Sequence, residues 1–295
     1  MQCLSITAAA ETLHVSQPSV SRLIADLERS VGFPLFLRTG RGLTATAEAI
    51  RFYQSVEGMF IGVDRLKEAA HAIKTDDGGT VSLGVIQSIA TLEVPKAIRL
   101  ACERFDGLRF MVQSRNTPSI LEALLSNQLD IGVVGRQPPY AGVETLFDTS
   151  APYVCLLPED HPLTETDGPL DLEDLADRES FITTGAAYPD EMTGIDTRLS
   201  KKLRANSRIS ATNMPVAAAL VRETGSLAIA DPFSAEQAVR MGGVVFRPIR
   251  QYLTYHIAIV CKARDLLPRQ ALEFTNILSG QITARIKMLD GYSDK

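Results

Sequence analysis

The segment from Thr7 to Val31 constrains the fold of this 295-residue chain more than any other. Small helix-forming residues run from Thr7 to Leu13, a short polar turn comes next, and a second helical pattern follows. Ser16 is placed to cap this second helix through its hydroxyl, and Pro18 is tolerated in a first turn, where no backbone donor is missed. The apolar side chains of the second helix share one arc about 100° wide, and they are Val20, Leu23, Ile24, Leu27 and Val31. The sequence therefore predicts two helices joined by a tight turn.

The opposite face of the second helix carries arginines and small residues, and such a face can lie in the major groove of DNA. The alternative is an amphipathic helix whose polar side faces water. DNA binding is favoured by the next segment, where an apolar anchor (33–36) precedes a glycine-rich tip (38–42), as in a wing that reaches a phosphate backbone. We therefore predict a winged helix-turn-helix over residues 1–45. Its expected DNA contacts are Ser16, Gln17, Pro18, Ser19, Ser21, Arg22, Arg29, Arg38 and Arg41.

Residues 46–76 form one polar and apolar stretch without proline, which predicts a long linker helix. Its apolar residues recur every three or four positions, close to a period of about 3.5, and they are Tyr53, Val56, Phe60, Val63, Leu66, Ala70 and Ile73. A long helix projecting from a small domain can bury this stripe against a partner, and the alternative is packing against the chain's own second part. We expect a homodimer joined through this helix, which would place two DNA-binding units one or more DNA turns apart.

After the turn-forming residues Asp76 to Gly79, apolar strand patterns alternate with helical patterns to the end of the chain. The first series predicts three strands and two intervening helices, at residues 81–86, 92–105, 109–113, 118–126 and 131–134. This order requires a parallel sheet with right-handed crossovers. A second series begins at residue 153, and a last strand (255–260) and helix (268–288) follow it.

The chain resembles the LysR-type family of bacterial transcription regulators. The residues that carry the resemblance are Ala9 and Ala10, Leu13, Val15 to Ser21, Ile24, Leu27 and Glu28, Gly32, Pro34 to Phe36 and Arg38 to Gly42. The resemblance implies an α/β fold class with a winged helix-turn-helix, a long linker helix and a two-lobed effector domain of the periplasmic-binding-protein type over residues 80–295. It also implies that the end of the chain returns to the first lobe. Lobe I then covers about 80–150 and 254–295, and lobe II about 151–253.

The sequence departs from the family pattern at its start. Members of the family normally begin with an entire further helix ahead of the position that matches Ser5, whereas only Met1 to Leu4 stand there in this sequence. Three accounts are open: an upstream start codon, a trimmed chain, or a winged domain without its first helix. The third account would expose part of the apolar core and weaken DNA binding.

In open α/β sheets a ligand lies beyond the carboxyl ends of the strands, near helix N-termini. Polar residues follow several of the predicted strands, and the candidate effector-binding residues are Ser88, Thr117, Ser119, Arg136, Thr184 and Asp231. Helix capping alone would explain each hydroxyl or carboxylate, and Arg136 is either a bidentate partner for a ligand carboxylate or a solvent-facing arginine. The family resemblance supports Ser88 and Thr117, which match positions where effectors are held.

The amino-terminal stretch is similar to that of family members controlling amino-acid or opine metabolism. A zwitterionic effector would suit this set, with hydroxyls and helix ends for its carboxylate and Asp231 for its ammonium group. By resemblance, the expected partners are double-stranded operator DNA, a small-molecule effector and further copies of the chain in a dimer or tetramer, with RNA polymerase as an additional candidate.

Other functional classes lack their signals. A net charge of −5 is not that of a polycationic nucleic-acid-binding protein. No apolar run is long enough for a transmembrane helix, and the start of the chain lacks the basic segment and apolar block of a secretory signal. The four separated cysteines (Cys3, Cys102, Cys155 and Cys261) indicate a reducing cytoplasm and buried, unreactive thiols. A solute-binding protein of a transporter would need an export signal. An enzyme on the same lobes would need catalytic groups. We find no catalytic motif, no metal-ligand spacing among the histidines and no cofactor signature, so we expect no enzymatic activity.

Overall fold

A computed structural model of the chain describes residues 5–39, 42–53, 56, 79–135, 139–184 and 194–293. The chain forms two compact units, Met1–Lys67 and Glu68–Lys295. Of the predicted linker helix over residues 46–76, the described part includes 46–53 and 56, and residues 47–53 are helical. Most of the dimerisation stripe lies outside the described residues, so the dimer remains a prediction.

The first unit contains the predicted helix-turn-helix and a hairpin. Its elements are α1 (Ile6–Thr12), α2 (Gln17–Val31), β1 (Phe36–Thr39), β2 (Gly42–Ala45) and the described part of α3 (residues 47–53). The turn between α1 and α2 is tight because His14 adopts a left-handed conformation with φ 54° and the backbone N of Val15 donates to the oxygen of Ala10. Ser16 caps α2, as predicted, because its hydroxyl accepts a hydrogen bond from the backbone N of Ser19.

The apolar arc of α2 is only partly covered. Val20 is buried, and Ile24 and Val31 are half-buried, whereas Leu23 and Leu27 are 63 % and 43 % exposed. Leu23 and Leu27 therefore belong to the apolar arc but are not covered by the rest of the unit. They lie at one edge of the arc, and the neighbouring elements of the unit cover only its centre and other edge.

The base of the hairpin is tied to the helices before and after it. The Oε1 atom of Glu28 on α2 accepts hydrogen bonds from the backbone N atoms of Leu35 at 2.6 Å and Phe36 at 3.1 Å. The hydroxyl of Thr46, next to α3, donates to the oxygen of Pro34 at 2.8 Å. These bonds set where the wing leaves the helical part of the unit.

The second unit is an α/β structure with two sheets. Its helices are α4 (Gln87–Ala90), α5 (Glu93–Arg104), α6 (Thr117–Leu125), α7 (Leu172–Arg178), α8 (Thr197–Ala205), α9 (Met214–Thr224), α10 (Pro232–Arg240) and α11 (Arg269–Ser293), with short 3-10 turns at Pro162–Glu165 and Arg264–Leu266. Its strands are β3 (Thr80–Val85), β4 (Arg109–Ser114), β5 (Ile131–Gly135), β6 (Glu144–Pro152), β7 (Val154–Pro158), β8 (Phe181–Thr184), β9 (Ile209–Ala211), β10 (Leu227–Ala230), β11 (Val244–Pro248) and β12 (Thr254–Cys261).

Each sheet belongs to one lobe. Lobe I has the strand order β4-β3-β5-β12-β6, and lobe II has the order β11-β7-β10-β8-β9. The first three strands of lobe I are parallel, as predicted from their βαβαβ order. The nine-residue strand β6 was not expected. It pairs with β12 at the sheet edge, where Ala151 is its one buried residue, so its sequence lacks an apolar alternation.

The chain crosses between the lobes twice, at the end of β6 and at the start of β12. Thr254 pairs with Pro152, and the backbone N of Tyr153 donates to the oxygen of Leu253 at 3.0 Å. A further link comes from α10 of lobe II, because Phe233 is fully buried in the apolar cluster that otherwise consists of lobe I residues. Two paired chain segments therefore join the lobes, and one side chain of lobe II also reaches into the core of lobe I.

Candidate functional site

The exposed face of α2 carries most of the predicted DNA contacts. Gln17, Pro18, Ser19 and Arg22 are exposed, and Ser21 is half-buried. These residues occupy the first turn and a half of the helix, which is the part of a recognition helix that approaches base edges. The structure therefore brings together the side chains that the sequence analysis assigned to the start of this helix.

The polar groups at the start of α2 differ in what they already bind. The hydroxyls of Ser16 and Ser19 lie 2.8 Å apart and form the helix cap. Arg29 is paired with Asp26 one turn earlier on the helix. Arg22 is exposed and makes no ion pair with any residue that the structure describes. Arg22 is thus the cation of this face that is available to an anion without breaking an existing pair.

The wing arginines are described less fully. Arg38 lies in β1 opposite Leu43 of β2, which places its backbone near the tip of the hairpin. Arg41 lies outside the described residues. Both remain predicted backbone contacts.

Among the candidate effector-binding residues, Ser88 lies in α4, three residues beyond the carboxyl end of β3, and is buried. Its hydroxyl is 2.6 Å from the hydroxyl of Tyr255 on β12. Its backbone oxygen accepts a hydrogen bond from the side-chain amide of Gln237 on α10, at 3.1 Å. Ser88, a candidate supported by the family resemblance, is therefore held between β12 of its own lobe and α10 of lobe II.

Thr117 and Ser119 lie at the start of α6, beyond the end of β4. The hydroxyl of Thr117 accepts a hydrogen bond from the backbone N of Gly135 at the end of β5, at 3.1 Å. The cap of α6 is Asn116, whose Oδ1 accepts from the backbone N of Ser119 at 3.0 Å. Since β3 lies between β4 and β5, Ser88 and Thr117 follow neighbouring strands at one edge of the lobe I sheet.

In lobe II, Asp231 caps α10 and is buried. Its Oδ1 accepts a hydrogen bond from the backbone N of Ser234 at 2.9 Å, and burial raises the pKa of this carboxyl above its usual range, against the hydrogen bonds from Ser234. Thr184 ends β8, the strand beside β10. The side chain of Thr184 and the whole of Arg136 lie outside the part that the structure describes.

The sequence analysis missed several polar groups at this edge. Tyr255 sits in the middle of an apolar strand pattern, 167 positions from Ser88 along the chain, so no local pattern connects them. Gln237 carries no signal in the sequence that points to Ser88. Asn213 caps α9 after β9 by accepting from the backbone N of Val216 at 3.1 Å. The position of Asn213 after a strand and before a helix start that contains proline could have indicated its capping role.

Within the described residues, no three His, Cys, Asp or Glu side chains are grouped so as to hold a metal ion, and none of the helices described there is long and apolar enough to cross a membrane. Burial raises the pKa of the Cys155 and Cys261 thiols to about 12 and about 11. Cys102 is exposed on α5, so the expectation of a buried thiol was wrong there.

Comparisons with known proteins add to this geometry. Residues 1–50 match the family described as bacterial regulatory helix-turn-helix protein, lysR family, and residues 74–282 match the LysR substrate binding domain. The chain is 30 % identical over 188 residues to an uncharacterized HTH-type transcriptional regulator, YybE of Bacillus subtilis, and covers 64 % of its length, less than two thirds.

A second relative is the octopine catabolism/uptake operon regulatory protein OccR of Rhizobium meliloti. It is 29 % identical over 233 residues, which are 78 % of this chain and 75 % of OccR. Among solved structures, the fold is similar to that of full-length CbnR in complex with its target DNA, with a TM-score of 0.71, 18 % identity and 94 % of each chain covered.

Proposed function

The chain belongs to the LysR family of bacterial regulators, and we propose that it is a transcription regulator that binds operator DNA and a small metabolite. The observation that carries this proposal is the exposed start of α2, where Gln17, Ser19 and the unpaired Arg22 stand together on a helix tied to a two-stranded wing. The protein makes and breaks no covalent bond in this role. It acts in the cytoplasm, where the chromosome is.

DNA recognition divides between the helix and the wing. The start of α2 enters the major groove, where Gln17, Ser19, Ser21 and Arg22 meet base edges or phosphates, and the positive end of the helix dipole favours a phosphate. Arg38 and Arg41 on the wing contact the backbone, which positions the unit without reading sequence.

The DNA-binding unit acts as one of a pair. We propose a homodimer through the stripe of residues 46–76, because a long helix with an apolar seam is stable when the seam is covered by a partner. A two-fold pair of reading helices then recognises two half-sites on one face of the duplex. The family resemblance favours a further pairing of two dimers into a tetramer, and RNA polymerase is the candidate partner for activation.

The effector binds at the carboxyl ends of the strands between the lobes. Ser88, Thr117 and Ser119 follow strands of lobe I, and in lobe II Thr184 is the last residue of β8 and Asp231 follows β10. A ligand there changes the angle between the lobes, and this change is passed to the paired DNA-binding units. The name of OccR refers to an opine, which supports an amino acid or opine as the ligand of this chain. Arg136 is the proposed partner for a ligand carboxylate.

DNA binding is tested with the chain's own upstream region and a scrambled duplex in fluorescence anisotropy. We expect preference for the upstream region, and Arg22→Ala is expected to lose about 1–3 kcal/mol of binding free energy and to flatten that preference. Arg208→Ala, which removes the same charge from an exposed site in lobe II, is the matched control and should bind normally. Equal binding of both duplexes by the unaltered protein would overturn the proposed regulator function.

The ligand class is tested separately by calorimetry. A panel of amino acids, opines and simple aromatic acids is titrated into the full-length protein. We expect heat from at least one zwitterionic compound. Binding of the aromatic acids alone would exclude the amino-acid or opine effector and leave the DNA-binding proposal intact.

A further inference from the structure

One face of α10 in lobe II is turned toward lobe I. Phe233, Glu236, Gln237 and Arg240 recur at the spacing of a single helix face. Phe233 is buried in the lobe I core, and Gln237 donates to the backbone oxygen of Ser88. This helix is therefore the part of lobe II through which a change in the lobe contact would be transmitted.

The next residue on that face brings a charge into the contact. Glu236 is paired through Oε1 with the guanidinium of Arg285 on α11, which is a lobe I helix packed along α5. The Nε atom of the same guanidinium lies 3.6 Å from Oε1 of Glu93, at the start of α5. Two carboxylates, one from each lobe, thus share one arginine.

These groups are almost closed off from solvent. Glu93 is 1 % exposed, and the side chains of Arg285 and Glu236 are 11 % and 17 % exposed. Among the described residues, neither oxygen of Glu93 accepts a hydrogen bond from another residue, and Oε2 of Glu236 and Nε of Arg285 also lack hydrogen-bond partners. A buried carboxylate without donors from other residues is costly in its ionised form, so the environment favours the neutral acid.

The charges that face Glu93 come from three helices. Burial raises the pKa of Glu93 from its ordinary value of 4.5 to about 7. The backbone N–H of Glu93 itself, Arg285 on α11 and Lys96 on α5 oppose the rise, and Glu236 on α10 adds to it. Arg240 forms a further ion pair with Glu236, one turn along α10. Glu93 therefore changes charge near neutral pH.

We propose that Glu93, Arg285 and Glu236 form a proton-controlled latch between the two lobes. When Glu93 is neutral, the guanidinium of Arg285 binds Glu236 alone and holds α10 against lobe I. When Glu93 releases its proton to solvent, its carboxylate competes for Arg285 and repels Glu236, and the contact between the lobes loosens. The latch acts on the lobe contact itself and requires neither DNA nor effector.

The sign of the pH dependence follows from linkage. Between the unfolded value near 4.5 and the folded value of about 7, the folded protein holds the Glu93 proton more tightly than the unfolded chain does. The contribution of Glu93 to stability is therefore complete at acidic pH and is lost as the pH rises toward about 7. Above that value the buried carboxylate stays ionised and the latch stays loose.

The test is hydrogen–deuterium exchange of the α10 peptide in the full-length protein, corrected for the intrinsic exchange rate, between about pH 5.5 and pH 8.5. Protection of α10 is expected to fall by about three- to tenfold across this range in the unaltered protein. Glu93→Gln, which stays neutral, is expected to keep high protection at every pH. Glu236→Gln, which removes the charge held by Arg285, is expected to give low protection at every pH.

Arg104→Met is the matched control, because Arg104 joins α5 to Glu273 of α11 at 3.2 Å on the surface, away from lobe II. It should preserve both the protection of α10 and its pH dependence. Glu93→Gln should also raise the melting temperature at about pH 8 by about 5 °C and leave it unchanged at about pH 4, below the unfolded pKa.

Three outcomes would overturn the latch. They are an unchanged pH dependence of α10 protection in Glu93→Gln, an unaltered protection in Glu236→Gln, or a rise in melting temperature in Glu93→Gln with no effect on α10. None of these outcomes bears on the proposed regulator function, because no arm of the test contains DNA or a metabolite.

Discussion

The side-chain amide of Gln237 in lobe II donates a hydrogen bond to the backbone oxygen of Ser88 in lobe I, at 3.1 Å. The hydroxyl of the same serine is 2.6 Å from that of Tyr255 on the return strand of lobe I. Ser88 also stands at the strand end where we place the effector. A ligand that displaces Ser88 would therefore act directly on the contact between the lobes.

Tyr255→Phe tests the bond to Ser88. The ring should keep its packing against Tyr153 and Phe233, while the buried hydroxyl of Ser88 loses its partner at a cost of about 1–2 kcal/mol. The melting temperature should fall by a few degrees. Tyr252→Phe is the control, since Tyr252 is 87 % exposed, and its melting temperature should not change. Equal melting temperatures for both variants would contradict the assignment of this hydrogen bond.

Glu28→Ala tests how the wing is fixed to α2. The change removes the acceptor of two backbone N–H groups at Leu35 and Phe36, and a hydrogen bond to a charged group contributes about 1.5–3 kcal/mol. We expect faster hydrogen exchange at both amides and weaker DNA binding, because the hairpin leaves the helix less firmly held. Glu28→Gln keeps an acceptor oxygen and should restore most of the protection. Unchanged exchange in Glu28→Ala would show that the wing is held by other contacts.

Gly132→Ala tests the packing of α6 on the parallel strands. A methyl group at this position would lie 2.6 Å from a side-chain carbon of Ile120 and 3.0 Å from one of Leu124, and overpacking of this kind costs about 1–3 kcal/mol. Gly280→Ala on α11 is the matched control, because nothing lies within 4 Å of the added methyl group. Urea unfolding should show destabilisation of the first variant and a gain of about 0.5–1 kcal/mol in the second. The reverse order would contradict the packing at Gly132.

Asp231→Asn separates the two roles of this buried residue. Asparagine caps a helix as well as aspartate does, so the bond to Ser234 should survive while the buried charge is removed. Because burial raises the folded pKa of Asp231, its neutral form is favoured, and the stability of the unaltered protein falls as the pH rises through that pKa. Asp231→Asn should therefore be more stable than the unaltered protein at neutral pH, with the difference vanishing at strongly acidic pH.

Calorimetry then distinguishes the role of Asp231 as a helix cap from its proposed role as a ligand contact. If Asp231 binds the ammonium group of a zwitterion, Asp231→Asn should lose that binding while it gains stability. Full retention of the binding would remove Asp231 from the effector site. Urea unfolding at neutral and at strongly acidic pH measures the free energy of unfolding of Asp231→Asn and of the unaltered protein.

Local sequence patterns predicted the local structure well. Ser16 was expected as the cap of α2 from its place before a proline-containing first turn, and its hydroxyl has that role. The parallel strands β3, β4 and β5 were expected from apolar runs separated by helical patterns. Features of this kind depend on residues close together in the chain, so periodicity and capping rules are sufficient to find them.

What the sequence could not supply depends on tertiary contacts. Helix periodicity places Leu23 on the same face as Val20 but does not say how much of that face neighbouring elements cover, and Leu23 is exposed. Strand β6 is an edge strand with few buried residues, so it lacks the apolar pattern of the inner strands. The contact of Glu93 with Arg285 joins positions far apart in the chain, and neither residue has a distinctive local setting.

Phe233 makes the two lobes of the second unit depend on each other. Its ring belongs to lobe II by chain position and to lobe I by its surroundings. Separating the lobes would therefore leave a cavity the size of a phenyl group in lobe I and an exposed aromatic side chain on lobe II. Although each lobe has its own sheet, neither lobe is therefore expected to fold stably on its own. The two lobes should melt in a single cooperative transition, and a fragment made from either lobe alone should not reproduce the fold of the intact unit.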